Sequence, residues 1–292
     1  MTAANDTPRP DIFDRRLRAR QRDRMVPRFA DHDFLYRMML DELIDRLGDV
    51  QRDLPEALVI GCPDGSARTS LRAMGKRVAC IDPGFLTAKG AGGVQADEDA
   101  LPFADNSFDL ILACGTLDSV NDLPGALILM RRILRPDGLM LAAFSGAGSL
   151  PRLKSALLGA EGDRPGQHVH PQIDVRAAGD LLSRTGFAMP VADGETLSIR
   201  YGDIARLMHD LRFMGAGNAL ANRPPPLTRA VLADAAEHFA KAADPDGRTA
   251  EQMAIVYLSG WKPDPSQTAP ARRGSATVSL AEALKGKDQA GQ

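Results

Sequence analysis

The sequence predicts an α/β chain built around a doubly wound parallel sheet. Short apolar runs alternate with helix-period segments between residues 57 and 144. The runs lack polar alternation, which marks strands buried on both faces between crossover helices. A glycine-containing loop follows the first run, and an acid, Asp82, ends the second, 21 residues after Gly61. At 292 residues the chain suits one large domain with embellished ends.

Composition narrows the function. Thirty-six basic residues against 38 acidic ones leave a net charge of −2. A general nucleic-acid binder needs a basic surface and is excluded as the expected class. No apolar run reaches membrane-spanning length, and the first 30 residues hold no apolar leader core. Three cysteines, Cys62, Cys80 and Cys114, have no CxxC spacing, so a reducing, cytoplasmic setting is expected rather than a disulfide framework.

The elements follow in order. Residues 9–28 carry eight arginines and three acids with sparse apolar marks, a pattern read as a solvated helix or arm. Its functional alternative is a basic arm docking an acidic protein or an anionic membrane surface. Residues 34–47 place Phe34, Leu35, Met38, Met39, Leu43, Ile44 and Leu47 at helical spacing, with Gly48 as the stop. Strands are predicted at 57–60, 78–81, 110–113 and 139–144, and helices near 66–74 and 123–134. Asn121-Asp122 reads as an N-cap, and Pro136-Asp137-Gly138 as the turn that ends that helix. Beyond lie a helix ended by Gly186, a strand at 197–201, helices at 204–213 and 228–243, and an apolar strand at 253–261. The expected organisation is an N-terminal arm and helix (1–50), a ligand-binding core (51–150), a second half with substrate-side helices (151–262) and an extended tail (263–292).

In an open parallel sheet, ligands bind beyond the carboxyl ends of the strands. There stand the loop Ile60-Gly61-Cys62-Pro63-Asp64-Gly65, then Asp82, then Asp97 ahead of Leu101-Pro102-Phe103, then Ser107–Leu112 leading into the next strand and Gly115 beyond it. Glycines let the backbone approach a ligand, and a strand-end acid suits a ribose diol.

This ordered set, over roughly residues 55–145, resembles the class I S-adenosylmethionine (SAM) dependent methyltransferases of type 11. The resemblance implies a Rossmann-like seven-stranded sheet. It implies SAM as cofactor and places Gly61, Cys62, Gly65, Asp82, Asp97 and Gly115 in the cofactor site, with Asp82 on the ribose and Asp97 on the adenine amine. A longer likeness runs through 12–24 (IFDRRLRARQRDR), 120–127, 131–138, the helix at 176–187, 211–220 (LRFMGAGNAL) and 257–280. These stretches resemble the complex I assembly-factor arginine hydroxylase family, mitochondrial and bacterial, which is built on a methyltransferase fold. That resemblance implies a protein partner, an iron–sulfur subunit of NADH:ubiquinone oxidoreductase, and peripheral contact with the inner membrane. The chain is also similar to malonyl-acyl-carrier-protein O-methyltransferase, with Gly215-Ala216-Gly217-Asn218 in its signature position.

The chain departs from the methyltransferase pattern where the cofactor would sit. Val59 stands at the usual acid and Pro63 at the middle glycine; Asp64 adds a negative charge near the SAM carboxylate. One lost charge-assisted hydrogen bond would cost about 1.5–3 kcal/mol, or about tenfold to a hundredfold in affinity. Asp118 and Ser119 stand where the family has a histidine and an aromatic. Three readings follow: a SAM-binding enzyme modifying a protein in complex I assembly, a non-catalytic assembly module with a degenerate SAM site, and carboxyl methylation of an acyl-carrier substrate held by the basic arm.

No catalytic residue is assigned, and no metal is expected. His168-Val-His170 has the spacing of a metal pair in an extended segment, but no third ligand is evident, and no 2-His-1-carboxylate pattern appears. His168 falls where the family has a histidine, which implies substrate contact. Cys62 is weighed as a nucleophile without an activating histidine, and Cys80 and Cys114 as core filling. Tyr201, Asn218 and Trp261 fall on the expected substrate side.

Overall fold

The computed structural model describes residues 11–162 and 166–264. Helix α1 (Arg15–Met25) leads through a short 3-10 segment (Val26–Asp31) into α2 (Phe34–Gly48). The first half continues β1 (Glu56–Ile60), α3 (Ser66–Ala73), β2 (Arg77–Asp82), α4 (Phe85–Gly90), β3 (Val94–Gln95), β4 (Phe108–Cys114), α5 (Leu123–Ile133) and β5 (Leu134–Ser145). The second half adds α6 (Pro151–Glu161), α7 (Val175–Arg184), β6 (Ala188–Tyr201), α8 (Ile204–Phe213), α9 (Arg229–Lys241) and β7 (Thr249–Trp261).

The seven strands form one sheet in the order β3-β2-β1-β4-β5-β7-β6. The first five are parallel; β7 runs antiparallel between β5 and β6. Both sheet faces are covered, and successive residues of each strand feed opposite layers. Val59, Leu110, Leu112 and Leu141 pack with α2, α3, α6, α8 and α9. Leu58, Ile60, Ile111 and Met140 pack with α5 and α7. That is why the strand sequences read as unbroken apolar runs. The topology reverses between β1 and β4, so the loops after them open the crevice where a ligand is expected.

Asp122 caps α5, accepting from the Gly125 N–H at 2.9 Å, as its sequence context predicts. The turn expected at Pro136-Asp137-Gly138 is instead part of β5, which begins at Leu134. Its register against β4 shifts between Phe108 and Leu110, and Asp137 has φ +63°. A bulge absorbs the residues that a local reading assigns to a turn. Strand β6 is longer than the predicted 197–201; as the edge strand it tolerates Pro190 near its register shift. Apart from its first two residues, the predicted tail lies outside the described residues.

The largest correction concerns the arginine-rich arm. It is a helix, as one reading expects, but not a wholly solvated one: Arg18 and Arg22 are buried, while Arg16, Arg20 and Arg24 stay exposed. Asp14 caps α1, accepting from the Leu17 N–H at 2.9 Å. Phe13 exchanges backbone hydrogen bonds with the Asn121 side chain at 2.8 and 3.0 Å. Asp14 N–H donates to the Ala219 carbonyl (2.8 Å), and Gln21 Nε2 to the Asn218 carbonyl (2.9 Å). An 11-residue helix is marginal alone. These contacts, with buried Leu17 and Met25, hold it across the carboxyl ends of the strands.

Candidate functional site

Arg15, Arg18 and Arg22 lie three and four residues apart, on one face of α1. That face meets the acids at the ends of β2 and β3. Arg22 clasps Asp82, with Nη2 to Oδ2 at 2.5 Å and Nε to Oδ1 at 3.2 Å. Arg18 makes a bidentate pair with Glu98 at 2.7 and 2.8 Å, and also donates to the Thr116 carbonyl and Ser119 Oγ. Arg15 pairs with Asp99 at 2.5 and 2.7 Å and reaches Asp97 at 3.3 Å. Arg18, Arg22, Asp82 and Glu98 are all buried. Glu98, Asp99 and the three arginines were missed by sequence reasoning. The signal was there in part: charges at helical spacing, in a segment with few apolar residues to bury.

Asp82 also accepts from Gly84 N–H (2.9 Å), Thr87 Oγ1 (2.6 Å) and Cys62 N–H (3.1 Å). Burial pushes its pKa up, but the Arg22 charge and these hydrogen bonds outweigh that and hold it below the usual range. Five hydrogen bonds converge on a carboxylate with about four lone-pair sites. No acceptor capacity is left for a ribose diol. Asp97, expected at the adenine, has its pKa raised by burial and Glu98 against the pull of Arg18 and Arg15, within 3.9 and 3.3 Å. With α1 docked, the residues present do not fit the nucleoside of SAM, and no chemical step is derived through it.

The loop residues fall close together but serve the fold. Gly61 has φ +80°; a Cβ there would lie 2.3 Å from the Cys114 carbonyl oxygen. Its lack of a side chain lets two strand ends meet. Gly65, φ +76°, opens α3 and has space around it. At Gly115 (φ +68°), a Cβ would meet Met39 and Tyr36 of α2 at 3.4 and 3.9 Å. Asp64 turns back to cap Ser66 N–H at 3.0 Å. A hydrogen bond with Cys80, then burial, push the Cys62 thiol well up, so it is no thiolate nucleophile. Cys80 and Cys114 are buried strand residues, as expected.

Beside this saturated cluster lies a cavity of about 340 Å³. Leu150, Leu153, Leu157, Met208, Leu211 and Met253 supply its apolar wall. Arg18, Arg22, Asp118, His168, His170 and Asn218 supply polar groups, and Pro63 and Gly115 line its loop side. Neither Asp82 nor Asp97 lines it. The two histidines do not act as a pair: His168 Nε2 meets Glu161 at 2.7 Å, and His170 Nε2 accepts from the Ala219 N–H at 2.8 Å. Burial lowers the His170 pKa, consistent with a neutral acceptor. Of the expected substrate-side trio only Asn218 lines the cavity. Tyr201 is buried, and Trp261 pairs with Leu139, away from the carboxyl ends of the parallel strands.

Asp118 differs from every other acid of the site. Among the described residues, no side chain donates a hydrogen bond to it and no cation pairs with it. Burial raises its pKa, against His170 and Arg18. It is a half-buried carboxylate on the cavity wall, attracted from a distance by Arg18 and Arg22.

Strand order, crevice and glycine loops define a class I methyltransferase fold. A family profile described as a methyltransferase domain matches residues 58–142. Solved methyltransferase structures share the architecture. One from Bacillus halodurans superposes with TM-score 0.53 at 13% identity, covering 77% of this chain and 99% of that one. Another is the Haemonchus contortus phosphoethanolamine N-methyltransferase 2, in complex with phosphomonomethylethanolamine and S-adenosylhomocysteine. It superposes with TM-score 0.52 at 12% identity, over 85% of this chain and 60% of that one. The chain belongs to the family of the arginine-hydroxylase NDUFAF5 proteins. It is 35% identical to the mitochondrial protein of Danio rerio over 97% of its own length and 92% of that relative. It is 36% identical to that of Homo sapiens, over 93% and 83%. The malonyl-[acyl-carrier protein] O-methyltransferase of Halorhodospira halophila is 32% identical over 85% of this chain and 88% of that relative.

Proposed function

We propose that this chain works in complex I biogenesis by receiving an arginine-bearing segment of a protein partner, an iron–sulfur subunit, in the cavity beside α1. One observation carries the reading: among the described residues Asp118 is a carboxylate at the cavity that no side chain hydrogen-bonds and that Arg18 and Arg22 attract only from a distance, in a family whose named relatives act on arginine. A guanidinium would neutralise it through charge-assisted hydrogen bonds, and the leucine and methionine wall would cover the aliphatic stem. The described part of the arm, residues 11–50, acts as a clamp on this fold. No helix among the described residues is long and apolar enough to cross a membrane. A cytoplasmic protein meeting complex I at the membrane surface is the setting proposed.

The test is deletion of the gene, followed by isolation of NADH:ubiquinone oxidoreductase and mass spectrometry of its iron–sulfur subunit. The expected result is less assembled complex and loss of a mass increment on one arginine. Wild-type protein restores both and Asp118→Asn restores neither. Normal assembly and unchanged arginine masses in the deletion strain overturn the reading.

Asp118→Asn also has a stability signature. A folded-state pKa above the unfolded value means that the charged form is penalised on folding. Stability linked to Asp118 is therefore present at low pH and is lost as pH rises through its raised pKa. The asparagine variant should melt above wild type at neutral pH, and the gap should close on acidification. Differential scanning calorimetry across pH reads both. A variant that melts below wild type at neutral pH sinks the desolvated-carboxylate account.

A further inference from the structure

We propose that His32, His209 and Asp210 form a binding site for a divalent transition-metal ion of the zinc and iron class, on the side of α8 away from the cavity. Sequence spacing does not show it, because His32 lies 178 residues from Asp210. The fold brings the segment before α2 against α8. One nitrogen from each imidazole and one Asp210 carboxylate oxygen then lie within 4.8 Å of one another. His32 Nδ1 sits 2.8 Å from Asp210 Oδ1. Imidazole and carboxylate together are the donor set of borderline divalent ions, and three protein ligands leave a position for water.

Two further observations favour a ligand. His32 is buried, so the Nδ1 that faces Asp210 is shielded from water. Both rings are also held in place by Phe213: His32 stacks on it at 5.3 Å and His209 lies against it at 4.7 Å. Rings fixed before binding lose little entropy when they ligate. Two groups compete with an ion: Tyr201, whose hydroxyl interacts with Asp210, and Arg28, whose Nη1 stands 3.5 Å from His209 Nε2 and whose guanidinium covers Phe213 at 5.1 Å. The Arg28 side chain is half exposed and can swing into solvent. Arg28 is therefore a competitor for the site, and removing it should favour the ion.

Met208 and Leu211 of the same helix line the cavity, whereas His209 and Asp210 do not. The ion would therefore tie the segment before α2 to α8 without reaching a ligand in the cavity. The inference stands apart from the proposed function and survives its failure.

The test uses tag-free full-length protein and titrates Co2+ as a spectroscopic probe, then Zn2+ by calorimetry. One ion per chain is expected, with visible cobalt bands and a rise in melting temperature. His209→Ala and Asp210→Asn should each weaken binding by more than about tenfold. Arg28→Ala should tighten it. His32→Ala alone is uninformative if the fold loosens, so the two α8 variants and the Arg28 variant decide. Three outcomes overturn the proposal: no saturable binding, binding unchanged by His209→Ala and Asp210→Asn, or a cobalt spectrum dominated by thiolate charge transfer, which would assign the ion to the cysteines.

Discussion

Arg22→Met is expected to destabilise the fold by about 3–5 kcal/mol, the cost of leaving a buried charge without its partner. Asp82 is fully buried, and Arg22 is the cation that holds it. The remaining donors, Gly84, Thr87 and Cys62, are neutral. Urea denaturation measures the loss. The double variant Arg22→Met/Asp82→Asn should recover much of it, because no charge is then stranded. The difference from additivity isolates the pair. A loss below about 1 kcal/mol in the single variant would mean that α1 is held elsewhere and that Asp82 is free to serve a ligand. Asp82→Ala would strand Arg22 in the same way, so a SAM titration of that variant would report folding as much as binding. Its melting curve has to accompany any titration.

Gly61→Ala should be nearly as damaging, at about 2–5 kcal/mol, whereas Gly65→Ala should cost only about 1–2 kcal/mol. Both glycines have positive φ, so both pay the left-handed penalty. Only Gly61 also has a backbone neighbour in the way: the Cys114 carbonyl oxygen at 2.3 Å, with Thr116 Cγ2 at 2.5 Å. The carbonyl belongs to the end of β4, where Cys114 pairs with Ala143 of β5, and cannot rotate aside without disturbing that pairing. At Gly65 the nearest atom stands 3.7 Å away. Denaturation midpoints of the two variants make the comparison. Equal losses would show that the close approach of the two strand ends has no energetic role.

These two sites show where sequence patterns are informative. The glycine loop and the acid 21 residues on were legible, and the structure brings Gly61, Cys62 and Asp82 together at the ends of β1 and β2. What the pattern left open was whether the acid is free. In this chain Cys62 N–H and Arg22 both donate to Asp82, and Tyr36 and Met39 of α2 crowd Gly115. The departures at Val59, Pro63 and Asp64 belong to the same picture. Val59 packs in the apolar layer with α2 and α3, and Asp64 accepts from the Ser66 N–H just ahead of α3. Pro63 lines the cavity. Asp118 was noted as a departure, but that no described side chain hydrogen-bonds it became visible only once the other acids of the site had partners.

Elements with strong local signals were placed well. The helix read at 204–213 is α8, and the core strands agree to within a few residues except where β5 begins early. Periodicity is a local property and survives in the sequence whatever lies opposite. The bulge in β5 and the length of β6 were not legible, because register is set by the neighbouring strand. By itself, the sequence determined the layered α/β fold, the site of the crevice and the family, since burial on two faces and turn chemistry are written residue by residue. Only the tertiary structure decided what fills the crevice. Arg22 meets Asp82 across 60 residues, Arg18 meets Glu98 across 80 and Arg15 meets Asp99 across 84. Charges so far apart leave no local trace, and the fold alone brings them within hydrogen-bonding distance.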